Sequence, residues 1–149
     1  MGIFSFVKAS GPQRGEAGAP DAAHVKRDLD TLGLGTAGVT VSVDGDKILL
    51  AGTVADQTVF EKSVVAVGNT NGIAGVDATG LMLAGGAPET PVLYSVEPGD
   101  DLWSIAEAAY GKGEREKYAT ILSANGPMLT DPEQIYPGQV LRIPDASTL

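Results

Sequence analysis

Two Pro-Gly pairs in the last third of the chain constrain its fold more than any other feature. Pro98-Gly99 lies within Tyr94-Ser95-Val96-Glu97-Pro98-Gly99-Asp100-Asp101-Leu102-Trp103-Ser104-Ile105-Ala106, and Pro137-Gly138 within Ile135-Tyr136-Pro137-Gly138-Gln139-Val140-Leu141-Arg142-Ile143-Pro144. The first block reads as a strand, a tight turn and a helix capped by an acidic residue. The second reads as a tight turn and a strand that Pro144 stops. Between them Ile105, Ala106 and Ala109 make one apolar helical face, and Tyr118, Ile121 and Leu122 supply the facing stripe of a second helix.

This turn chemistry and apolar spacing resemble a LysM domain, a small βααβ module that binds N-acetylglucosamine polymers. The resemblance runs from about Pro91 to Ala146 and sets Trp103 at a position that is buried in the family. It implies a shallow sugar groove between the first strand–helix turn and the loop before the last strand. Here those positions are Gly99, Asp100, Asp101 and Leu102, facing Gln134, Ile135 and Tyr136. LysM domains commonly place Thr where this chain has Asp101, which is also a good helix cap.

Upstream, the periodicities describe a second small domain. Ala22, Val25, Leu29 and Leu32 follow helical spacing behind Asp21, an N-cap after Pro20, and Gly33 stops the helix. Val39, Val41 and Val43 alternate with Thr40 and Ser42 as a half-buried strand. Asp44-Gly45-Asp46 is a turn signal, and Lys47–Val54 returns as a second strand. Asp56 caps a helix with an apolar face of Val59, Phe60, Val64 and Val67, ended by Gly68; Ile73–Leu83 is a third strand. The order αββαβ predicts one small sheet with two helices on a face and a right-handed crossover into the third strand.

Two composition shifts bound these domains. Ser10 to Pro20 holds three glycines and two prolines and is expected to be irregular. Ala84-Gly85-Gly86-Ala87-Pro88-Glu89-Thr90-Pro91 reads as a linker, flexible at Gly-Gly and stiffer at its prolines. The expected organisation is an N-terminal segment (1–20) packing on a first domain (21–83), then a linker (84–91) and a second domain (92–145). The fold class is α+β, in two small domains.

The αββαβ order, Gly52 at the end of the second strand and the run Val67-Gly68-Asn69 to Gly72-Ile73-Ala74-Gly75-Val76 resemble a BON domain. A BON domain joined to one LysM, behind a Met-Gly-x-Phe-x-Phe-Val-Lys start, is similar over the whole chain to the bacterial BON/LysM potassium-binding proteins. That resemblance implies a monomer, not an enzyme, which binds K⁺ selectively and changes shape on doing so. A protein partner that reads the ion-bound state would remain to be identified. The alternative is a glycan-binding protein at the cell envelope, acting through its LysM half.

Charge and targeting signals bear on both readings. A net charge of −9 argues against nucleic acid and anionic membrane surfaces, whose affinity rests on Lys and Arg. The apolar start Met1–Val7 is interrupted by Lys8, too short for the roughly 7–15 apolar residues of a secretory signal. The myristoylation pattern wants Ser or Thr where the chain has Phe6. Nothing approaches the roughly 20 apolar residues of a membrane span. With no cysteine, a disulfide framework is excluded and a reducing compartment fits, so a cytoplasmic location is expected.

Potassium is large and weakly hydrated, and proteins select it with carbonyl oxygens that replace its water shell, whereas carboxylate cages suit Ca²⁺. Such carbonyls are available at the end of the second helix, whose last four C=O groups lack helical partners and carry about half a negative charge. Asn69-Thr70-Asn71-Gly72 follows directly, and its glycine turns carbonyls inward at little steric cost. The N-terminal segment, with apolar anchors Ile3, Phe4, Phe6 and Val7, can dock beside it. The site hypothesised for the K⁺ that the resemblance implies consists of main-chain oxygens of Val7, Ser10 and Pro12 on one side, with Gly68, Thr70 and Ile73 completing it on the other.

Catalysis finds little support. His24 is the sole histidine, set among polar residues on a helix, and no Walker loop, G-x-S-x-G elbow or H-E-x-x-H appears.

Overall fold

The computed structural model describes residues 3–6, 21–69, 73–86, 88, 92–126 and 128–143. It confirms the α+β class and divides the chain into two compact units, Met1–Thr90 and Pro91–Leu149. Of the expected N-terminal segment only residues 3–6 are among those described, and Ala87, Glu89, Thr90 and Pro91 of the expected linker lie outside them. The Gly85-Gly86 part of that linker is tied down rather than open: Leu83 and Gly86 exchange backbone hydrogen bonds of 2.9 and 3.1 Å.

The first unit is built from β1 (Ile3–Ser5), α1 (Ala22–Thr31), β2 (Val39–Asp44), β3 (Lys47–Val54), α2 (Gln57–Gly68) and β4 (Gly75–Leu83). The expected αββαβ order is present, with one strand added in front of it. The sheet order is β1-β4-β3-β2: β2 and β3 form a hairpin, β3 and β4 run parallel, and β1 closes antiparallel on β4.

Local chemistry explains most boundaries. The side chains of Asp21 and Asp56 accept hydrogen bonds from Ala23 and Val59 N–H groups, satisfying first-turn donors that a helix leaves unpaired. In β2 Val39 is buried and the following residues alternate exposed and half-buried, as a one-sided strand demands. The core beneath the sheet gathers Val25, Leu29, Ile48, Leu50, Phe60, Val64, Val76 and Leu81, each at most 2 % exposed. The loop from α1 to β2 is locked by polar contacts. Lys26 Nζ donates to Asp30 (2.9 Å) and to the Thr36 carbonyl (2.6 Å), and Thr36 Oγ1 donates to Asp30 (2.6 Å). The Thr36 hydroxyl, then Lys26, hold the Asp30 carboxyl below its ordinary range.

The second unit runs β5 (Leu93–Ser95), α3 (Leu102–Tyr110), a 3-10 turn (Arg115–Lys117), α4 (Tyr118–Ala124) and β6 (Val140–Arg142), with β5 and β6 antiparallel. Asp101 and Ser104 form a reciprocal capping box at the start of α3. Val96, Leu102, Ile105, Ala106, Ile121, Leu129 and Leu141 make the core, with Tyr94, Tyr118, Leu122, Ile135 and Ile143 packed around it.

Two expectations for this unit need correction. Trp103 is half-buried rather than core; its ring stacks on Tyr118 at 4.8 Å between centroids. Ala109 is exposed, because α3 buries a narrower stripe centred on Leu102, Ile105 and Ala106.

A buried side chain ties the end of α4 to β6. Asn125, 1 % exposed, follows the last turn of α4. Its Nδ2 donates to the carbonyls of Ile121 (2.7 Å) and Arg142 (3.0 Å), and its Oδ1 accepts from the Arg142 N–H (2.7 Å). Arg142 answers by donating from its guanidinium to the Ala124 carbonyl at 2.8 Å.

Candidate functional site

The parallel pairing of β3 with β4 brings several chain ends together. Lys47 opposes Gly75 at the start of both strands, and Ser5, at the end of β1, opposes the same Gly75. The C-terminus of α2 arrives there too, because it leads into β4. The carbonyl end of that helix carries its negative dipole, and the Asp44-Gly45-Asp46 turn lies at the same edge of the sheet.

The N-terminal strand is seated on this end by alternation. Phe4 and Phe6, two residues apart, face the same side and are 9 % and 8 % exposed. Phe4 meets Phe60 of α2 edge-on, centroids 6.4 Å apart. Phe6 lies against Gly68: a Cβ built on that glycine would stand 2.1 Å from the tip of the phenyl ring. No other residue type leaves room for the ring, so Gly68 is a docking socket as well as the end of a helix. Phe6 N–H then donates to the Ala74 carbonyl at 2.9 Å, and Ala74 N–H to the Asp46 carbonyl at 2.7 Å.

Of the six candidate ion ligands, Gly68 and Ile73 are described. Gly68 closes α2 under the Phe6 ring, and Ile73, wholly buried, precedes the Ala74 that binds Phe6. Val7, Ser10, Pro12 and Thr70 lie outside the described residues. Between Gly68 and Ile73 the chain leaves α2 through Asn69, whose N–H still donates to the Val65 carbonyl at 3.1 Å. Among the described residues no three His, Cys, Asp or Glu side chains are grouped to hold a metal ion. The C-terminal end of α2, with its negative dipole, closes this end of the unit.

The packing at Gly68 yields a stability prediction. Alanine is the better helix former by about 1 kcal/mol, yet its methyl would displace a buried ring at an overpacking cost of about 1–3 kcal/mol. Gly68→Ala is expected to lower the urea midpoint of the first unit, followed by far-UV circular dichroism.

The second candidate site lies in the other unit. Its two Pro-Gly turns are stitched side by side: Gly138 N–H donates to the Val96 carbonyl (2.7 Å) and Val96 N–H to the Gln139 carbonyl (2.8 Å). That stitching brings Gly99, Asp100 and Asp101 to the same end as Gln134, Ile135 and Tyr136. Gly99 and Gln134 are exposed, while Ile135 and Tyr136 are half-buried.

The carboxylates here already have work. Asp100 accepts from the Tyr94 hydroxyl (2.5 Å) and the Glu97 N–H (2.9 Å), and Asp101 caps α3 through the Ser104 N–H (2.7 Å). The hydrogen bond to Asp100, with burial and the nearby acidic charge, pushes the Tyr94 phenol up to about 12. Leu102 must be corrected: its side chain is fully buried in the core and is withdrawn from any groove.

His24 stands on α1 within 3.5 Å of Asp28, a surface contact. Asn125 was not among the residues singled out by sequence. Its only signal is an Asn-Gly pair at a helix end, which reads as an ordinary stop.

Residues 94–144 match the LysM domain model. The potassium binding protein Kbp of Escherichia coli O6:H1 is 39 % identical over 153 aligned positions, spanning 97 % of this chain and 99 % of that protein. The chain belongs to the Kbp family. An uncharacterized protein of Deinococcus radiodurans is 33 % identical over 115 positions, covering 71 % of this chain and 44 % of its own length. The Kbp alignment takes in both units together, so the family relation extends beyond the LysM half. Among the described residues no helix is long and apolar enough to cross a membrane.

Proposed function

We propose that the chain is a cytoplasmic, monomeric protein that binds K⁺ selectively and changes conformation when it does. The observation that carries this reading is the near end-to-end relation to a potassium binding protein. The seating of β1 on the end of α2 supports its location. In this proposal the ion is held by main-chain oxygens of Val7, Ser10, Pro12, Gly68, Thr70 and Ile73. It fastens the N-terminal segment to the first unit, and the conformational change is the gain of that fastening.

The chain's own residues supply three things in this reading. The α2 terminus provides partial negative charge without a formal carboxylate, which disfavours divalent ions relative to a carboxylate cage. The Phe6–Gly68 contact positions the segment before the ion arrives, which lowers the ordering cost of binding. The acidic balance of the chain raises the local cation concentration.

The test is a calorimetric melt of the full chain in K⁺ and in Na⁺ at equal ionic strength. A ligand that binds only the folded state stabilises it by about 2.7 kcal/mol at a hundredfold excess over Kd. For a unit of this size that is a rise of roughly 10–20 °C, at about 4–8 °C per kcal/mol. Matched salt cancels screening, so a higher midpoint in K⁺ supports selective binding, and superimposed melts would sink the proposal.

The LysM match favours a second reading, in which the second unit holds a glycan at Gly99, Asp100, Asp101, Gln134, Ile135 and Tyr136. Retention of the full chain on purified peptidoglycan, competed by soluble N-acetylglucosamine oligomers, would support it whatever the potassium result.

A further inference from the structure

We infer that Asn125-Gly126 is a self-modification site that the folded LysM unit keeps closed and that any opening of the unit exposes irreversibly. Asparagine followed by glycine is the pair in which the next backbone nitrogen attacks most readily. Glycine has no side chain to shield its N–H, and its wide conformational range lets the two groups approach. In the reaction the residue 126 nitrogen gives up its proton and bonds to Asn125 Cγ. The Cγ–Nδ2 bond breaks and ammonia leaves. One water then opens the cyclic imide to aspartate or to isoaspartate, so the net change is amide plus water to acid plus ammonia, with no redox partner.

In the native unit every polar group of Asn125 is engaged. Its N–H donates to the Ile121 and Leu122 carbonyls, each at 3.2 Å, and its carbonyl accepts from Leu129 N–H at 2.9 Å. The side-chain amide is bound at both ends, to Ile121 and to both main-chain groups of Arg142. The attacking Gly126 N–H donates to the Ser123 carbonyl at 3.2 Å. Cyclisation requires the side chain to leave Arg142 and the Gly126 nitrogen to leave Ser123, that is, α4 and β6 must part. Reaction is thereby confined to the open state, and its rate follows the open population.

The product does not fit back. A carboxylate at position 125 has no donor for the Ile121 and Arg142 carbonyls, and it places a negative charge against both. Isoaspartate in addition lengthens the main chain by one methylene between α4 and the following turn. The chemistry therefore converts a reversible opening into a permanent one, and the modified site records that the unit has unfolded.

The experiment uses the wild-type full chain in mildly alkaline buffer with and without concentrated urea. The tryptic peptide from Tyr118 to Arg142 is monitored by mass for the gain of one unit and for isoaspartate; the other Asn-Gly pair, Asn71-Gly72, falls on a different peptide. Deamidation is expected to be at least about a hundredfold slower in buffer than in urea, as for a reaction confined to a rarely populated open state. Comparable rates in the two conditions would overturn the inference. A second readout tests the one-way character: the modified chain, separated by its extra negative charge and returned to buffer, should keep an unfolded Trp103 emission. Recovery of native emission would overturn that part.

Discussion

Replacing Asn125 with leucine is expected to unfold the LysM unit at room temperature while the first unit remains folded. The substitution removes three hydrogen bonds at once and leaves the N–H and C=O of Arg142 facing a hydrocarbon side chain in a buried place. Each stranded buried group costs about 1–3 kcal/mol, so the two together cost roughly 2–6 kcal/mol. A unit this small, with no disulfide to help it, rarely has more than about 3–5 kcal/mol in total. The readout is convenient, because the chain has a single tryptophan, Trp103, and all four tyrosines lie from residue 94 onward. Aromatic fluorescence and near-ultraviolet dichroism of Trp and Tyr therefore follow the LysM unit alone. Loss of the Trp103–Tyr118 signature, with far-UV signal retained from the first unit, is the expected result. A wild-type urea midpoint would show that the α4–β6 junction is held by something other than this tether. Asn125→Asp keeps an acceptor for the Arg142 N–H but loses both donors and sets a negative charge against the Ile121 and Arg142 carbonyls, so it too is expected to leave the unit unfolded.

Gly52→Ala should be the most damaging single methyl group in the first unit. Gly52 closes the β2–β3 ladder opposite Val39, with φ of +118°, a region that L side chains rarely adopt. A Cβ there would stand 2.0 Å from the Gly38 carbonyl oxygen, and because the obstacle is backbone it cannot swing aside. Dihedral strain of about 1–3 kcal/mol and overpacking of about 1–3 kcal/mol give a loss of roughly 2–6 kcal/mol. Gly45→Ala is the control. Its φ of +64° is also left-handed but nothing lies within 4 Å, so only the conformational cost of about 1–2 kcal/mol applies. Amide hydrogen exchange of β2 and β3 is the appropriate measurement, since fluorescence is blind to this unit. If Gly52→Ala proved as mild as Gly45→Ala, the close approach to Gly38 would not be what requires glycine there.

Elements whose cause is local were legible in the sequence. Asp21, Asp56 and Asp101 announce helix starts because a carboxylate caps the N–H groups two or three residues ahead. Val39, Val41 and Val43 announce a strand because one face of β2 is covered. The β1 strand was not legible: it is three residues long, has no turn beside it, and exists only because β4 offers an edge. Its apolar residues marked it as an anchor without saying what kind. Trp103 was misread because stacking on Tyr118 satisfies a large ring without burying it. Asn125 was invisible for the opposite reason, since its partner Arg142 is seventeen residues away and no local pattern announces the pairing. The candidate ion site falls between these cases. Main-chain oxygen leaves no side-chain signature, and of the two candidate ligands among the described residues Gly68 is set apart by the ring that rests on it.

The pairing of β1 with β4 also sets an order of events during synthesis. Ile3 is made some seventy residues ahead of its partner Asp77. At about 5–20 residues per second, that is a delay of roughly 4–15 s. Through that interval Phe4 and Phe6 have no helix to cover them, since Phe60 and Gly68 must also be translated first. The first strand of this unit to be made is thus the last to be laid into its sheet. In a growing chain the seat of the proposed ion is completed only once α2 and β4 have formed, so a nascent protein would stay unresponsive to its ion until its first unit was whole.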